Sequence, residues 1–552
     1  MQKFSFFKRK FNWQIWVLAG LMLVGVFLRT YHFHDWLFFG DDQNRDAALT
    51  SAVAKGEVAW PLTGPFMSYS GEGDHSEENS FHMGPMYYYF QILSVKIFGN
   101  YPDKMAYPDL LFSILSIPLF FFFLRIYFSQ NILLSLVGIY AISAYFIQYS
   151  RFAWNTNLIP FFVLWLLLAL HKFLEKNEKV TWGWVFSLGI ALGIGFQLHA
   201  IVMILFSVLT FLVFLISLKR NSSVWKKWAI VLLIFLGLNV TQIVSELKTN
   251  FNNTKILLGV TATNTGVQTN VRSNKITLSK LANNADCHVE ANFFLLSSYG
   301  NDSCSYSFIA APAGGWTKHY FSDINGRIKF ALLIISLLFS LSGYFLLGYY
   351  LKKEKDPAKK YFLQLVAVYL AIGFLIMLPL SKTGVNELRY FVFGFFAAFM
   401  FLGFLLKFIA QKIQSWKYLI GPAFVLVFLP IASNIWAIHV EAKPLIDNHI
   451  TCDSLYETTL GELEPVVNYI VKNSAGQTRI YLKMDDSHRV MPSSLIYLLE
   501  QQGIAPIKLE AEDFSTEEHP IFYVSCKRPG ALLNTQADQK IGQIHVFRLQ
   551  GL

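Results

Sequence analysis

The sequence predicts a polytopic α-helical membrane protein of about eleven spans, with its N-terminus inside, its C-terminus outside and a small extracytoplasmic α/β domain at its end. Three observations predict this. The composition is 54% hydrophobic and 16% aromatic with a mean hydropathy of +0.40, too apolar for an ordinary soluble domain. Apolar runs recur, each near the roughly 20 residues a spanning helix needs. Lysine and arginine concentrate in alternate connections between the runs.

In chain order the runs are 13–31, 107–128, 131–149, 157–174, 181–199, 201–218, 228–246, 327–350, 361–380, 390–409 and 418–438. The segment 84–98 is shorter and rich in tyrosine, and reads as interfacial or re-entrant. Lys3, Lys8, Arg9 and Lys10 precede the first run and place the N-terminus in the cytoplasm. Alternation then predicts cytoplasmic loops at 125–130, 172–180, 219–227, 351–360 and 410–417, and these hold Arg125, Lys172, Lys176, Lys179, Lys219, Arg220, Lys226, Lys227, a lysine group from Lys352 to Lys360, Lys412 and Lys417. The net charge of +10 mostly reflects this lysine, so no nucleic-acid partner is needed to explain it. The stretch from Gly20 to Gly25 has no small-residue cleavage site, so the first run reads as a span and not as a cleaved signal. The absence of a Walker sequence argues against an ATP-driven pump.

Under this topology residues 1–440 form the membrane module. Its outward parts are the long first loop 32–105, the turn near 150–157 and the polar insertion 247–326, followed by the tail 441–552. Cys287 and Cys304 fall in the insertion, and Cys452 and Cys526 in the tail. Two local bridges suit an oxidising compartment, with four free thiols as the alternative. In the tail, 460–473 and 493–502 have helical spacing, while 479–483, 521–525 and 544–547 alternate like strands. Such alternation points to an α/β layer.

The charged turn Gly40-Asp41-Asp42-Gln43-Asn44-Arg45-Asp46 lies just after the first run, where a membrane helix meets water. On a helix, Asp42, Arg45 and Asp46 share one face through i+3 and i+4 spacing. Arg45 would then hold one or both carboxylates ionised, and an ionised carboxylate there can act as a general base toward a hydroxyl. The simpler reading is helix capping by aspartate.

The turn resembles the first-loop carboxylate motif of the GT-C glycosyltransferases, in the branch of the protein O-mannosyltransferases and the lipid A aminoarabinose transferase. Asp42-Gln43 stands where the family has Asp-Glu, with Asp41 as the alternate register. Phe81-His82-Met83-Gly84-Pro85-Met86-Tyr87-Tyr88-Tyr89 is similar to the family's His-Pro-Pro-Leu or Lys-Pro-Pro-Leu-Tyr-Tyr element, with Gly84 in place of the first proline. Tyr149-Ser150-Arg151 looks like the arginine element that faces a lipid phosphate, and Glu387-Leu388-Arg389-Tyr390 like the family's late Arg-Tyr element. The order and membrane side of the four pieces make the set more specific than any one of them.

The resemblance implies a sugar donor linked to polyprenyl phosphate and presented from the outer leaflet of a bacterial-type plasma membrane. The acceptor is a hydroxyl of a protein, polysaccharide or glycolipid. Asp42 would be the base, with Arg45, Asp46, His82, Tyr88 and Tyr390 around the substrate and Arg151, Arg389 and His199 at the donor phosphate. Arginine suits that task because its fork pairs with phosphate oxygens and stays protonated. No metal or other cofactor is expected. Each assignment has a plainer competitor: snorkelling for the arginines, a carbonyl-bonded ring for His199, and an interfacial aromatic belt for Tyr87 to Phe90. His75, Glu77, Glu78 and His82 read as a solvated turn more readily than a metal site. A lipid-linked oligosaccharide ligase or polymerase is the alternative, and a secondary transporter a weaker one, since no internal repeat is visible. The tail has no tryptophan, which argues against the peptide N-glycosylation branch.

Overall fold

The computed structural model describes residues 13–67, 80–175, 180–257, 278–299, 304, 321, 324–380, 388–413, 416–446, 459–484, 491–509, 520–525, 539–541 and 544–549. Helix α1 (Trp13–Thr30) is apolar on nearly every face, as a lipid-facing helix must be. Near its end Arg29 is fully buried. Its Nε donates to Ser113 Oγ at 2.9 Å and its Nη1 to the carbonyls of Ala141 and Gly25 at 2.8 and 3.1 Å. One side chain thereby fastens α1 to α5 (Tyr107–Arg125) and α6 (Gln130–Ala141).

Among the described residues seven helices are long and apolar enough to cross a membrane, or up to nine if two bent pairs each count as one span. This measure does not confirm the expected count of about eleven. The two remaining apolar runs form only the short helices α6 and α9 (Trp182–Gly195). Hydropathy could not show where α6 stops. The chain breaks after Ala141 and resumes as α7 (Ala144–Gln148), because polar side chains take the freed backbone groups. The Ala144 N–H donates to Asn434 Oδ1 at 2.9 Å and the Tyr145 N–H to Ser298 Oγ at 3.1 Å. A helix break inside a bundle requires such substitutes.

The polar insertion also behaves differently from a loop. Leu278–Ser297 is a helix whose Ala291, Leu295 and Leu296 are buried in the main core. Two of its amides donate within the bundle: Asn284 Nδ2 to the Met377 carbonyl at 3.3 Å and Asn292 Nδ2 to Ser340 Oγ at 3.2 Å. Cys287 of this helix is disulfide-bonded to Cys304, with Cα atoms 5.3 Å apart. Cys452 and Cys526 lie outside the described residues.

At the tail, Leu460–Asn473 and Met491–Gln501 are helices that accompany a five-stranded sheet. Its strands are β3 (Arg479–Met484), β4 (Ala505–Lys508), β5 (Ile521–Ser525), β6 (Gln539–Ile541) and β7 (Ile544–Leu549), in the order β4-β3-β5-β7-β6. β3 runs parallel to β4 and β5, with Tyr481 opposite Ile521, and β7 is antiparallel to its neighbours. Ile480, Leu482, Phe522, Val524 and Val546 are fully buried. They share one core with Phe33, Leu37, Phe39 and Ala47 of the first loop. Backbone joins the two as well: the N–H groups of Leu460 and Gly461 donate to the carbonyls of Leu37 and Asp35, both at 3.0 Å. His34 completes the junction, with its ring nitrogens 3.2 Å from Asp103 and 2.9 Å from Glu464.

Candidate active site

Helix α2 (Asp41–Lys55) starts at the charged turn. The Gly40 N–H donates to Gln43 Oε1 at 3.2 Å, so Gln43 supplies a capping contact at this end. The side chain of Asp41 lies outside the described residues. Arg45 stands between the other two acids. Its Nη1 donates to Asp42 Oδ1 at 3.0 Å, and its Nε and Nη2 to Asp46 Oδ1 at 2.9 and 2.8 Å. Tyr88, on α3 (Met86–Phe98), donates its hydroxyl to the same Asp46 oxygen at 2.8 Å.

Burial separates the two acids. Asp46 has a side chain 1% exposed, whereas that of Asp42 is 53% exposed. Burial pushes the Asp46 carboxyl up, to about 6, against the pull of Arg45 and the Tyr88 hydroxyl. Burial works against the Arg45 charge, but Asp46 and Asp42 outweigh it and hold the guanidinium protonated. Asp46 and Tyr88 thus orient Arg45, and Asp42 is the acid of this trio that solvent or a substrate can reach.

The Arg45 guanidinium lies 4.6 Å over the ring of Phe66. Phe66 is paired with His82 in the ribbon of β1 (Phe66–Met67) and β2 (Phe81–His82), their rings 5.7 Å apart. The backbone of His82 is held on both sides by Asn253, at 2.7 and 2.9 Å. Close packing explains Gly84: a Cβ there would sit 2.2 Å from Gln197 Oε1. Gln197 in turn accepts from the Met86 N–H and donates to the carbonyls of Gly193 and Leu238. Gly84→Ala is expected to destabilise the protein by about 1–3 kcal/mol, read as a lower Tm in detergent.

Tyr87 and Tyr88 are not a lipid-facing belt, since both are buried. The Tyr87 hydroxyl donates to Asp109 Oδ2 at 3.1 Å, and Asp109 Oδ1 accepts the Trp154 N–H at 3.1 Å. Asp109 is fully buried. Sequence reasoning passed over it as one acid at the edge of an apolar run; an aspartate so near the start of a span was the available signal. Trp154 in turn lies beneath Arg389, whose guanidinium is 5.1 Å from the indole. Together with Tyr145, Tyr149, Asn157 and Phe161, these two residues line a small, partly open cavity. The acidic turn is tied to the chain beside this cavity: Gln43 Nε2 donates to the carbonyl of Ala153, the residue before Trp154, at 3.3 Å.

Arg151 is placed differently from the expected phosphate clamp. Its Nη2 donates to the carbonyls of Leu28 and Tyr31 at 2.6 and 2.7 Å and so ties down the end of α1. Arg151→Ala is therefore expected to cost about 1–3 kcal/mol of stability, with a smaller effect on donor binding; thermal unfolding and donor titration on one preparation separate the two. His199 likewise serves a helix end: its Nδ1 accepts the Ile201 N–H at 3.2 Å and caps α10 (Ala200–Arg220). Tyr390 is 39% exposed, beside Arg389. His75, Glu77, Glu78 and Glu387 lie outside the described residues. Among the described residues no three His, Cys, Asp or Glu side chains converge as a metal site.

Comparison with known proteins adds an independent observation. Residues 82–244 match the family model of dolichyl-phosphate-mannose-protein mannosyltransferase. No curated protein matches the chain. Among solved structures, ArnT from Cupriavidus metallidurans aligns at 12% identity over 97% of both chains with a TM-score of 0.49, and it has also been solved with undecaprenyl phosphate. The archaeal oligosaccharyltransferase AglB from Archaeoglobus fulgidus aligns at 12% identity over 93% of this chain and 69% of its own, with a TM-score of 0.47. The Pmt1-Pmt2 protein O-mannosyltransferase complex of S. cerevisiae aligns at 14% identity over 44% of this chain and 34% of its own, with a TM-score of 0.32. The family match falls on the motifs at His82, Tyr88 and Arg151, so over residues 82–244 this chain is similar to the dolichyl-phosphate-mannose-protein mannosyltransferase family.

Proposed function

We propose that the protein transfers a sugar from a polyprenyl-phosphate donor to a hydroxyl acceptor, on the extracytoplasmic side of the membrane and with inversion. One observation carries this reading: a solvent-reachable carboxylate, Asp42, oriented beside Arg45 and joined through Gln43 and Ala153 to an aromatic cavity that holds Arg389. Asp42 takes the proton of the acceptor hydroxyl. The hydroxyl oxygen attacks the anomeric carbon from the face opposite the phosphate. The anomeric C–O bond breaks, and the lipid monophosphate leaves with the electron pair. Arg389 meets the charge that grows on the leaving phosphate. Aromatic rings give the sugar and the first isoprene units an apolar lining, while His82 and Tyr390 border the acceptor side. Arg151 and His199 shape the site through the helix ends they hold.

The reading is tested by incubating the purified protein with a panel of polyprenyl-phosphate sugars and following release of lipid phosphate. Lack of release from every donor, with label accumulating in sealed vesicles, would favour transport instead.

Asp46 gives the reaction an expected pH dependence. The pair with Arg45 needs the ionised carboxylate, so the rate should rise with pH along an acid limb centred near 6. Stability runs the opposite way. A carboxyl whose folded value exceeds the usual value of about 4 favours the fold while protonated, and that contribution fades as pH rises through about 6. In Asp46→Asn the acid limb should lose this component, measured as turnover between pH 4.5 and 8.

A further inference from the structure

We infer that the C-terminal α/β unit is a positioning element of the transfer site, acting through Ser494 on the first turn of α2. This rests on the transfer reaction proposed above. Ser494 is fully buried and joins two points of the charged turn. Its Oγ donates to the Phe39 carbonyl at 2.8 Å, just before α2 begins, and accepts from Asn44 Nδ2 at 2.8 Å. Ser493 Oγ takes the same Asn44 amide at 3.0 Å. Asn44 lies about 160° from Asp42 and Asp46, and about 100° from Arg45, on the helical wheel of α2. A contact there fixes the rotation of the helix and hence the direction of Asp42, without touching any reacting group.

The contact repeats two turns on. Gln501 Nε2 donates to Ser51 Oγ at 3.3 Å, and Asn100 Nδ2 bonds both Ser51 at 2.7 Å and Gln501 at 3.5 Å. Asn44 to Ser51 and Ser494 to Gln501 are both seven-residue steps, which is about two helical turns. The helix Met491–Gln501 therefore runs alongside α2 in parallel and meets it at matched positions. Tyr497, between these points, packs on Phe39 with ring centroids 5.4 Å apart. A single hydrogen bond would allow α2 to roll, whereas two contacts on one stripe with a ring between them do not.

Misplacing a catalytic group by about 1 Å can cost on the order of 100-fold in rate. Ser494→Ala, and Gln501→Ala at the other end, are expected to lower kcat by about 10–100-fold with donor KM unchanged. Hydrogen exchange should quicken at amides 43–46, while strand β5 keeps its protection. The inference is overturned if folded Ser494→Ala keeps wild-type kcat and wild-type exchange at 43–46. It is also overturned if the rate loss only follows unfolding, seen as equal loss of protection in β5. Failure of the transfer reading has a different signature: the wild-type protein releases no lipid phosphate from any donor, yet the exchange effect of Ser494→Ala persists.

Discussion

Asp42→Asn is expected to reduce lipid-phosphate release by about 10²–10⁴-fold, the usual range for losing a general base. The substitution keeps the shape and the half-exposed position of the side chain, and it leaves Arg45 its two contacts to Asp46. Folding and donor affinity should therefore be close to wild type. A folded Asp42→Asn protein with undiminished turnover would remove this residue as the base and transfer the role to Asp41, its neighbour in the same turn.

Arg389→Ala is expected to lower kcat by about 10²–10³-fold, as when one preorganised donor to a developing negative charge is lost. The guanidinium lines the cavity and rests on Trp154, whose backbone is held by the buried Asp109. Donor binding should weaken too, because the phosphate is charged before reaction as well as after it. Arg389→Lys should recover part of the loss, since lysine keeps the charge without the planar fork. Unchanged turnover and unchanged donor affinity in Arg389→Ala would place the phosphate elsewhere.

Local signals in the sequence reached some of this arrangement. The i+3 and i+4 spacing of Asp42, Arg45 and Asp46 placed them on one face, and Arg45 bonds both acids. The two cysteines of the insertion read as a local pair and are bridged. Other features depend on partners remote in the chain. Asn44 looks like any polar residue of a helix until Ser494 is beside it. Arg151 has the charge and location of a phosphate ligand, but the carbonyls of Leu28 and Tyr31 engage it, and they carry no side-chain signature. Hydropathy scores each residue as if transferred alone, so it missed that Leu278–Ser297 enters the bundle with Asn284 and Asn292 bonded there. It also missed that the run near Ser143 breaks where Asn434 supplies the substitute bond.

The core that joins Phe33, Leu37 and Phe39 to Leu463, Phe522 and Val546 has a consequence for biosynthesis. A ribosome delivers the acid-bearing turn early, yet the residues that seat it follow hundreds of positions later in the chain. A nascent chain can thread every hydrophobic helix into the bilayer while its chemistry stays unassembled. The turn can take its final seat only once those later residues have folded back onto it.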